Sequence, residues 1–122
     1  MPIVYTIDPA RSLVISTASG ALRFEEVVAH QLKLLADPAF DTRYDQLIDT
    51  TAVESFDISA DQAQRIASRR LFGPSSKRAF VASTPAMYGI GRMLDAYHQF
   101  LDQHPATHVF RSLDDAWAWL GR

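Results

Sequence analysis

Two groups of acidic and hydroxyl side chains in the middle of the chain have residue types suited to acid–base chemistry. Asp49, Thr50 and Thr51 end an apolar stretch, and Asp57-Ile58-Ser59 follows after a short interval. Asp49 and Asp57 could face each other as paired carboxylates for acid–base work. Because no nucleophile or further base accompanies them at a diagnostic spacing, we interpret both as loop-capping acids. The sequence shows no catalytic triad, metal set or phosphate loop, so we predict a protein that is not an enzyme.

Ser59 has two interpretations. It precedes a helical pattern with Gln62 three residues further on, which is the spacing of a capping box. A phosphate at a helix N-terminus is stabilised by the free backbone N–H groups there, so Ser59 could also be a phosphoacceptor. Serine is among the commonest N-caps, and we favour the capping role.

A ligand site is the second functional possibility. Thr50 and Thr51 are predicted at the carboxyl end of a parallel strand, where ligands of open α/β sheets bind. Alternatively, these threonines only serve the strand and the turn that follows it. Arginine forks suit phosphate or carboxylate, so neighbouring basic residues could hold an anion, or could simply form a solvated face. The basic candidates are Arg69, Lys77, Arg78 and Arg92.

No metal or cofactor is predicted. The chain has no cysteine, which excludes disulfides, thiolate zinc sites and cysteine nucleophiles. Gly89 and Gly91 lack the third glycine of a dinucleotide-binding fingerprint and indicate close packing or a bend. The histidines do not combine with carboxylates at a metal-binding spacing, and we expect them at the surface. They are His30, His98, His104 and His108.

Composition limits the class of protein. The 122 residues predict a single domain, 1–122, and 48% hydrophobic with 21% charged residues is an ordinary globular balance. The net charge of -2 gives no reason to expect nucleic-acid binding. The first residues do not resemble a signal peptide, and no apolar run is long enough to insert into a membrane. We therefore expect a cytoplasmic protein.

The hydrophobic periodicity predicts the element order ββαβαβαβα. Two β-rich segments form a hairpin, and strands then alternate with helices, which indicates a mixed, mostly parallel five-stranded sheet in an α/β domain. The segments 46–50, 78–83 and 108–111 should be parallel. Ser59, Thr84 and Ser112 are the expected N-caps of the last three helices, and Pro85 is the expected first residue of the third. The first helix should turn Phe24, Val27, Val28, Leu32 and Leu35 inward.

Aromatic residues suggest an interface. Trp117 falls on the inward face of the last helix, whereas Trp119 falls off it, and Phe100 lies beside the apolar stripe of the third helix. Exposed large aromatics often mark interfaces. A homodimer that buries Trp119 or Phe100 is the expected assembly, and partial burial against a neighbouring helix is the alternative.

The element order and the stretch "LIDTTAVESFDIS" resemble the STAS domain, a family named after sulfate transporters and anti-sigma-factor antagonists. In that family an aspartate ends the third strand, and an Asp-Ser-Ser-Gly-like motif at the next helix carries the phosphorylated serine. The resemblance implies that Asp49 matches the strand-end aspartate and that Asp57-Ile58-Ser59 matches the motif, with Ser59 as the phosphoacceptor. Ile58 and Ala60 depart from the family pattern. The chain is more similar to an uncharacterised bacterial branch of the same fold.

The resulting expectation is a small, non-enzymatic regulatory module that works by contact with an unidentified protein partner. The alternative is a domain that binds a small apolar or anionic, lipid-like ligand, since the wider fold includes lipid-transfer domains. A deep apolar cavity would favour ligand binding, and a packed core with a flat exposed helical face would favour the interaction module.

Overall fold

The computed structural model describes residues 2–69, 71–100 and 104–122. These residues form an α/β domain with five strands and four α-helices, as the periodicity predicts. The strands are β1 Ile3–Asp8, β2 Leu13–Arg23, β3 Asp45–Asp57, β4 Lys77–Val81 and β5 Ala106–Phe110. The helices are α1 Phe24–Leu35, α2 Ala60–Ser68, α3 Pro85–His98 and α4 Leu113–Leu120.

The sheet has the strand order β1-β2-β3-β4-β5. β1 is antiparallel to β2, and a 3₁₀ turn at Pro9–Arg11 joins this edge hairpin. The other neighbouring strands are parallel, which confirms the orientation predicted for the third, fourth and fifth strands. Gln46 pairs with Arg78, and Arg78 pairs with Thr107 in the next strand. The register therefore aligns three polar residues on one face of a buried sheet.

Helices cover both faces of the sheet. Because right-handed crossovers that progress in one direction place their helices on one side, α1, α2 and α3 share a face. Phe80 belongs to the core on this side, together with Met87 of α3 and Val109. α4 packs on the opposite face, against Leu47 and its neighbours. Alternate residues of β4 therefore point into two different cores.

The predicted helix starts are confirmed. Ser59 Oγ accepts from Gln62 N at 3.1 Å, and Gln62 Oε1 accepts from Ser59 N at 3.0 Å, so the capping box is complete. Thr84 Oγ1 accepts from Met87 N at 3.2 Å, and Pro85 is the first residue of α3. Ser112 caps α4 in the same way.

Two element boundaries differ from the sequence prediction. β3 continues to Asp57, where a loop was expected, because its second half pairs with the end of β2 and buries Val53. This pairing shifts register near Gly20, whose φ of 68° suits the bulge. The sequence pattern "ADQAQRIASRRLF" predicts that the second helix extends to Phe72, but α2 ends at Ser68, and Phe72 reaches the core from the loop that follows.

The inward face of α1 also differs from the prediction. Leu32 and Leu35 are 49% and 50% exposed, whereas Gln31 and Leu34 are buried. The helix is thus rotated away from its most apolar stripe. The reason is that the sheet beneath α1 presents the polar Ser16, which makes a contact with His30 that an apolar stripe would displace.

Trp119 is partly buried, which is the alternative expected besides an interface, although its neighbour is a strand and not a helix. Its ring lies 5.6 Å from the ring of Phe110, and Lys77 Nζ lies 5.7 Å from its centroid. α4 is short and lies near the edge strand β5, so Trp119 packs against that strand. Trp117 is only partly buried and packs against the same cluster. Phe100, by contrast, is 87% exposed.

A substitution at Gly91 tests the packing between α3 and the sheet. A Cβ at this position would lie 2.6 Å from Phe80 Cδ1 and 3.1 Å from Val109 Cγ1. Gly91→Ala should therefore lower the free energy of unfolding by about 1–3 kcal/mol, as overpacking does. Gly89 is the matched control, since a Cβ there meets nothing within 4 Å. Gly89→Ala should raise stability by about 0.5–1 kcal/mol through helix propensity. Urea midpoints measure both, and equal stability of the two variants would refute the close-packing role of Gly91.

Candidate functional site

A chain of polar side chains crosses the face of the sheet beneath α1, α2 and α3. Ser16 Oγ lies 3.0 Å from His30 Nε2, and Gln46 Nε2 donates to the same hydroxyl at 3.0 Å. Arg78 Nε donates to Gln46 Oε1 at 2.9 Å, and Arg78 Nη1 lies 3.5 Å from His98 Nε2. Five elements of the domain thus contribute to one largely buried hydrogen-bonded row, which we call the polar row: His30, Ser16, Gln46, Arg78 and His98.

The direction of these hydrogen bonds follows from Arg78, whose guanidinium can only donate. Gln46 accepts through its oxygen and must donate through its amide nitrogen to Ser16. The Ser16 hydroxyl then has its proton and a second lone pair free, so its contact with His30 Nε2 takes its direction from the His30 tautomer. From Arg78 to Ser16, the hydrogen bonds run outward from a single positive charge.

Both histidines of the polar row are neutral at ordinary pH. Burial, and next the positive charges of Arg78 and Lys33, together lower the pKa of His30 from 6.5 to about 4. Burial and the Arg78 charge likewise lower the pKa of His98 to about 4. Burial also lowers the pKa of Arg78 itself to about 10, which leaves it charged at neutral pH. The row therefore carries one net positive charge.

An internal cavity of about 90 Å³ lies between the polar row and the helices. Ser16, His30, Gln46 and Arg78 form its polar wall. The rest of the wall is mainly apolar and includes Ile48, Ile58, Ala63, Ile66, Phe80 and Ile90. The cavity is thus amphipathic, with a charged wall on one side and aliphatic groups on the other.

The cavity adjoins a surface groove between β1 and α1. Ile3 and His30 line both spaces. Tyr5, Lys33 and Asp37 line the outer groove, where Tyr5 Oη donates to Asp37 Oδ2 at 2.8 Å. His30 therefore lies between the interior and the solvent-facing groove.

The two threonines predicted as possible ligand contacts, Thr50 and Thr51, lie in different environments. Thr50 is buried, lines the cavity and donates to the carbonyl of Val81 at 2.6 Å. Thr51 is exposed, and its hydroxyl donates to Asp49 Oδ1 at 2.7 Å. Asp49 is the last residue of β3 that pairs with β4, and Asp57 ends the strand at the surface. Asp49 also accepts from Thr51 N at 2.9 Å, so it serves a local turn-like contact.

The basic residues do not form one cluster. Arg78 lines the cavity, whereas Lys77 points to the opposite face of the sheet and lies over Trp119. Arg92 is exposed on α3, and Arg69 follows the end of α2 with a buried Nε that has no partner among the described residues. Of the predicted anion ligands, the structure brings only Arg78 and Thr50 to the cavity.

Sequence reasoning missed most of the polar row. His30 and His98 were expected at the surface, but His30 lines the cavity and His98 is 6% exposed. Ser16 and Gln46 were not singled out at all. The sequence did contain a signal for Ser16 and Gln46, because each is a polar residue at an inward-facing position of a strand whose neighbouring positions are mostly apolar.

Comparisons with known proteins bear on the fold. The sequence matches no protein-family model and no curated protein. One similar solved structure is an uncharacterised DUF3478-family protein with a SpoIIAA-like fold, from Shewanella loihica PV-4. The TM-score is 0.59 and the sequence identity is 17%, over 97% of this chain and 93% of that chain. An anti-sigma factor antagonist from Mycobacterium paratuberculosis is similar at a TM-score of 0.61 and 18% identity, over 98% and 95%. The chain has a STAS-like fold.

The histidines of the polar row predict a pH dependence of stability. Their pKa values fall from 6.5 in the unfolded chain to about 4 in the folded one. Between these values the unfolded chain binds protons that the folded chain does not, so stability is complete above pH 6.5 and is lost as the pH falls toward 4. Each unit of pKa depression corresponds to about 1.4 kcal/mol, so the pair should contribute several kcal/mol to that loss.

Urea midpoints between pH 4 and 7 measure this effect. His30→Gln should reduce the slope of stability against pH by about half, since one of two titrations is removed. His108→Gln is the control, because His108 is exposed outside the polar row. An unchanged slope in His30→Gln would contradict the neutral, buried state of this imidazole.

Proposed function

We propose that this chain is a non-enzymatic, cytoplasmic regulatory module whose state is set by a small ligand in the internal cavity. The observation that carries the proposal is the amphipathic cavity itself, walled by Arg78 and the polar row on one side and by aliphatic groups on the other. A deep apolar cavity was the feature expected to separate ligand binding from a plain interaction module, and the cavity observed is apolar except for the wall formed by the polar row and its polar neighbours. Ligand sites are typically apolar with a few convergent polar groups.

The packing of α2 explains why space is left. Its inward side chains include the small Ala63 and Ala67. The helix packs mainly against α3 and, to a lesser extent, against α1, rather than directly on the sheet. Protein interiors are normally close-packed, and groups that line a void lose dispersion contacts. An occupant would restore those contacts, which favours binding.

An enzymatic role fits the site less well, although Ser16 and His30 lie at hydrogen-bonding distance. A catalytic serine needs a base that can accept its proton near neutral pH and a third group that orients that base. Burial and the Arg78 charge lower the pKa of His30 to about 4, which makes it a weak base. Among the described residues, no carboxylate hydrogen-bonds the ring. The pair is better explained as a structural link within the polar row.

The cavity has a short connection to the surface at the start of α2. Ile58 lines the cavity, and the next residue, Ser59, is the exposed N-cap. Ala63 and Ile66 of the same helix also line the cavity. A ligand that contacts these three residues would bias the position of α2, and so the presentation of Ser59. Phosphorylation of Ser59 would act on the same helix terminus.

Hydrogen exchange tests this proposal. Xenon is a suitable neutral probe, because it binds dry apolar cavities. Xenon should slow amide exchange in residues 57–66 and shift the methyl resonances of Ile48, Ile58 and Ile66. Ala63→Leu should fill the space and abolish these shifts, whereas Ala96→Leu, which lies on the exposed side of α3, should not. Methyl shifts that survive in Ala63→Leu, or exchange unaffected by xenon in the parent, would refute a ligand-responsive cavity.

A second candidate role is protein–protein contact, including a homodimer. Phe100 favours it, because a phenylalanine that is 87% exposed at the end of α3 is an unusual surface feature. One structural neighbour is an anti-sigma factor antagonist, and such a neighbour fits a module that acts on protein partners. Trp119 is a weaker interface candidate, since it packs against β5.

Sedimentation equilibrium tests the dimer. Phe100→Ser should shift the protein toward monomer with little change in its unfolding midpoint, since the side chain has few internal contacts to lose. A central aromatic can contribute roughly 2 kcal/mol or more to an interface. Leu32→Ser is the matched control, because Leu32 is also exposed but lies on α1. A parent protein that is monomeric at high concentration would exclude the homodimer.

A further inference from the structure

Arg78 is a positive charge whose identified partners are all neutral. Its acceptors are Gln46 Oε1 and His98 Nε2. The ion pairs among the described residues join Arg43 to Asp41, Arg65 to Asp61 and Arg122 to Asp45, and none involves Arg78. A partly buried charge without a counter-charge is unfavourable, and proteins normally pair or hydrogen-bond such groups fully.

The guanidinium also has hydrogen-bonding capacity left. Arginine has five N–H donors in a planar fork. Within the described part of the chain, Nε and one N–H of Nη1 meet acceptors, which leaves three N–H groups for a further acceptor. Since Arg78 lines the cavity, an occupant is within reach of these donors. A planar fork of this kind matches a carboxylate.

A second group at the same cavity lacks a partner. Gln31 is 7% exposed and lines the cavity. Its Nε2 donates to the carbonyl of Ile66 at 3.2 Å, but its Oε1 is buried without a hydrogen-bond partner among the described residues. A buried acceptor left unsatisfied is costly, and it marks a place where a ligand hydroxyl can donate.

We propose that the cavity binds a small monocarboxylate that carries a hydroxyl group. Its carboxylate accepts from the free N–H groups of Arg78, and its hydroxyl donates to Gln31 Oε1. Its short carbon chain packs against the apolar wall formed by Ile48, Ile66 and Phe80. This inference rests on the proposed function, and it names the chemical class of the ligand.

The size of the cavity limits the length of the acid. A cavity of about 150 Å³ accepts one benzene molecule, so about 90 Å³ accommodates roughly four non-hydrogen atoms without rearrangement. Acetate has four non-hydrogen atoms and matches this volume, whereas glycolate and propionate with five and lactate with six need a small outward shift of the cavity wall. A longer chain would have to extend past Ile3 and His30 into the outer groove.

NMR titration of the parent protein with propionate, lactate and propionamide tests the charge and the hydroxyl separately. Propionamide is the neutral counterpart of propionate, and lactate adds one hydroxyl to it. Propionate should bind about ten- to a hundredfold more tightly than propionamide, which is the range for hydrogen bonds to charged groups. Lactate should bind more tightly than propionate.

Four variants assign these preferences to residues. Arg78→Met should remove the preference for propionate over propionamide, whereas Lys77→Met, which removes the same charge from the opposite face, should keep it. Gln31→Leu should remove the preference for lactate over propionate and leave the preference over propionamide intact. Arg78→Lys, which keeps a charge without the fork, should retain part of the affinity and provides a second, milder variant.

Equal affinity for propionate and propionamide in the parent would overturn the carboxylate assignment. Equal affinity for lactate and propionate would overturn the hydroxyl assignment. If propionate, lactate and propionamide all fail to bind while xenon still shifts the resonances of the cavity methyl groups, the cavity responds to a ligand but the proposed ligand class is wrong. Loss of the xenon response as well would refute the proposed function itself.

Discussion

The positive charge of Arg78 inside the helical face of the sheet is the constraint on which the rest of this structure depends. Central strands of a parallel sheet are normally apolar on both faces, because helices cover them. Here β4 brings an arginine to that face, and the pairing of Gln46 with Arg78 supplies its first acceptor. That donor fixes Gln46 as an acceptor through its oxygen and as a donor to Ser16 through its nitrogen. Burial, and next the charge of Arg78, keep the neighbouring imidazoles neutral.

The polar row also explains how the helices are placed. α1 turns His30 and Gln31 toward the sheet and leaves Leu32 and Leu35 outside, against its own hydrophobic pattern. α2 packs on α1 and α3 and leaves a cavity above the row. The ring of Phe72 already lies over the guanidinium, and apolar side chains that filled the remaining space would shut its other N–H groups off from any acceptor, which is costly. The space and the polar row are thus both consistent with one partly buried charge.

The sequence predicted the elements far better than the site. Local signals decide where helices begin, so Ser59, Thr84 and Ser112 could be recognised as caps from their spacing alone. The parallel order followed from the alternation of strands and helices. The inward face of α1 could not be derived in this way, because the strongest apolar stripe was outweighed by a polar partner on another element. Only the three-dimensional register shows that Ser16, Gln46 and Arg78 are neighbours.

Consecutive residues of β4 show why a cluster of basic residues in a sequence does not define an anion site. Lys77 and Arg78 have the same charge, but strand alternation sends them to opposite faces. Lys77 lies over the ring of Trp119 in a setting where water and an aromatic face stabilise it. Arg78 faces neutral acceptors and a cavity. The surroundings of each basic side chain, and not its charge alone, therefore decide whether it is placed to bind an anion.

The second helix, α2, connects the cavity to the surface. α2 begins at an exposed capping box, and the residue before its cap lines the cavity. The helix has its main contacts with α3 rather than with the sheet, so its position depends on what fills the space beneath it. In the proposed mode of action, an occupant held by Arg78 acts on an exposed helix terminus across a single residue, Ile58. Because Ile58 lines the cavity and directly precedes the exposed cap, this is a short physical path from a bound ligand to a surface that a partner could recognise.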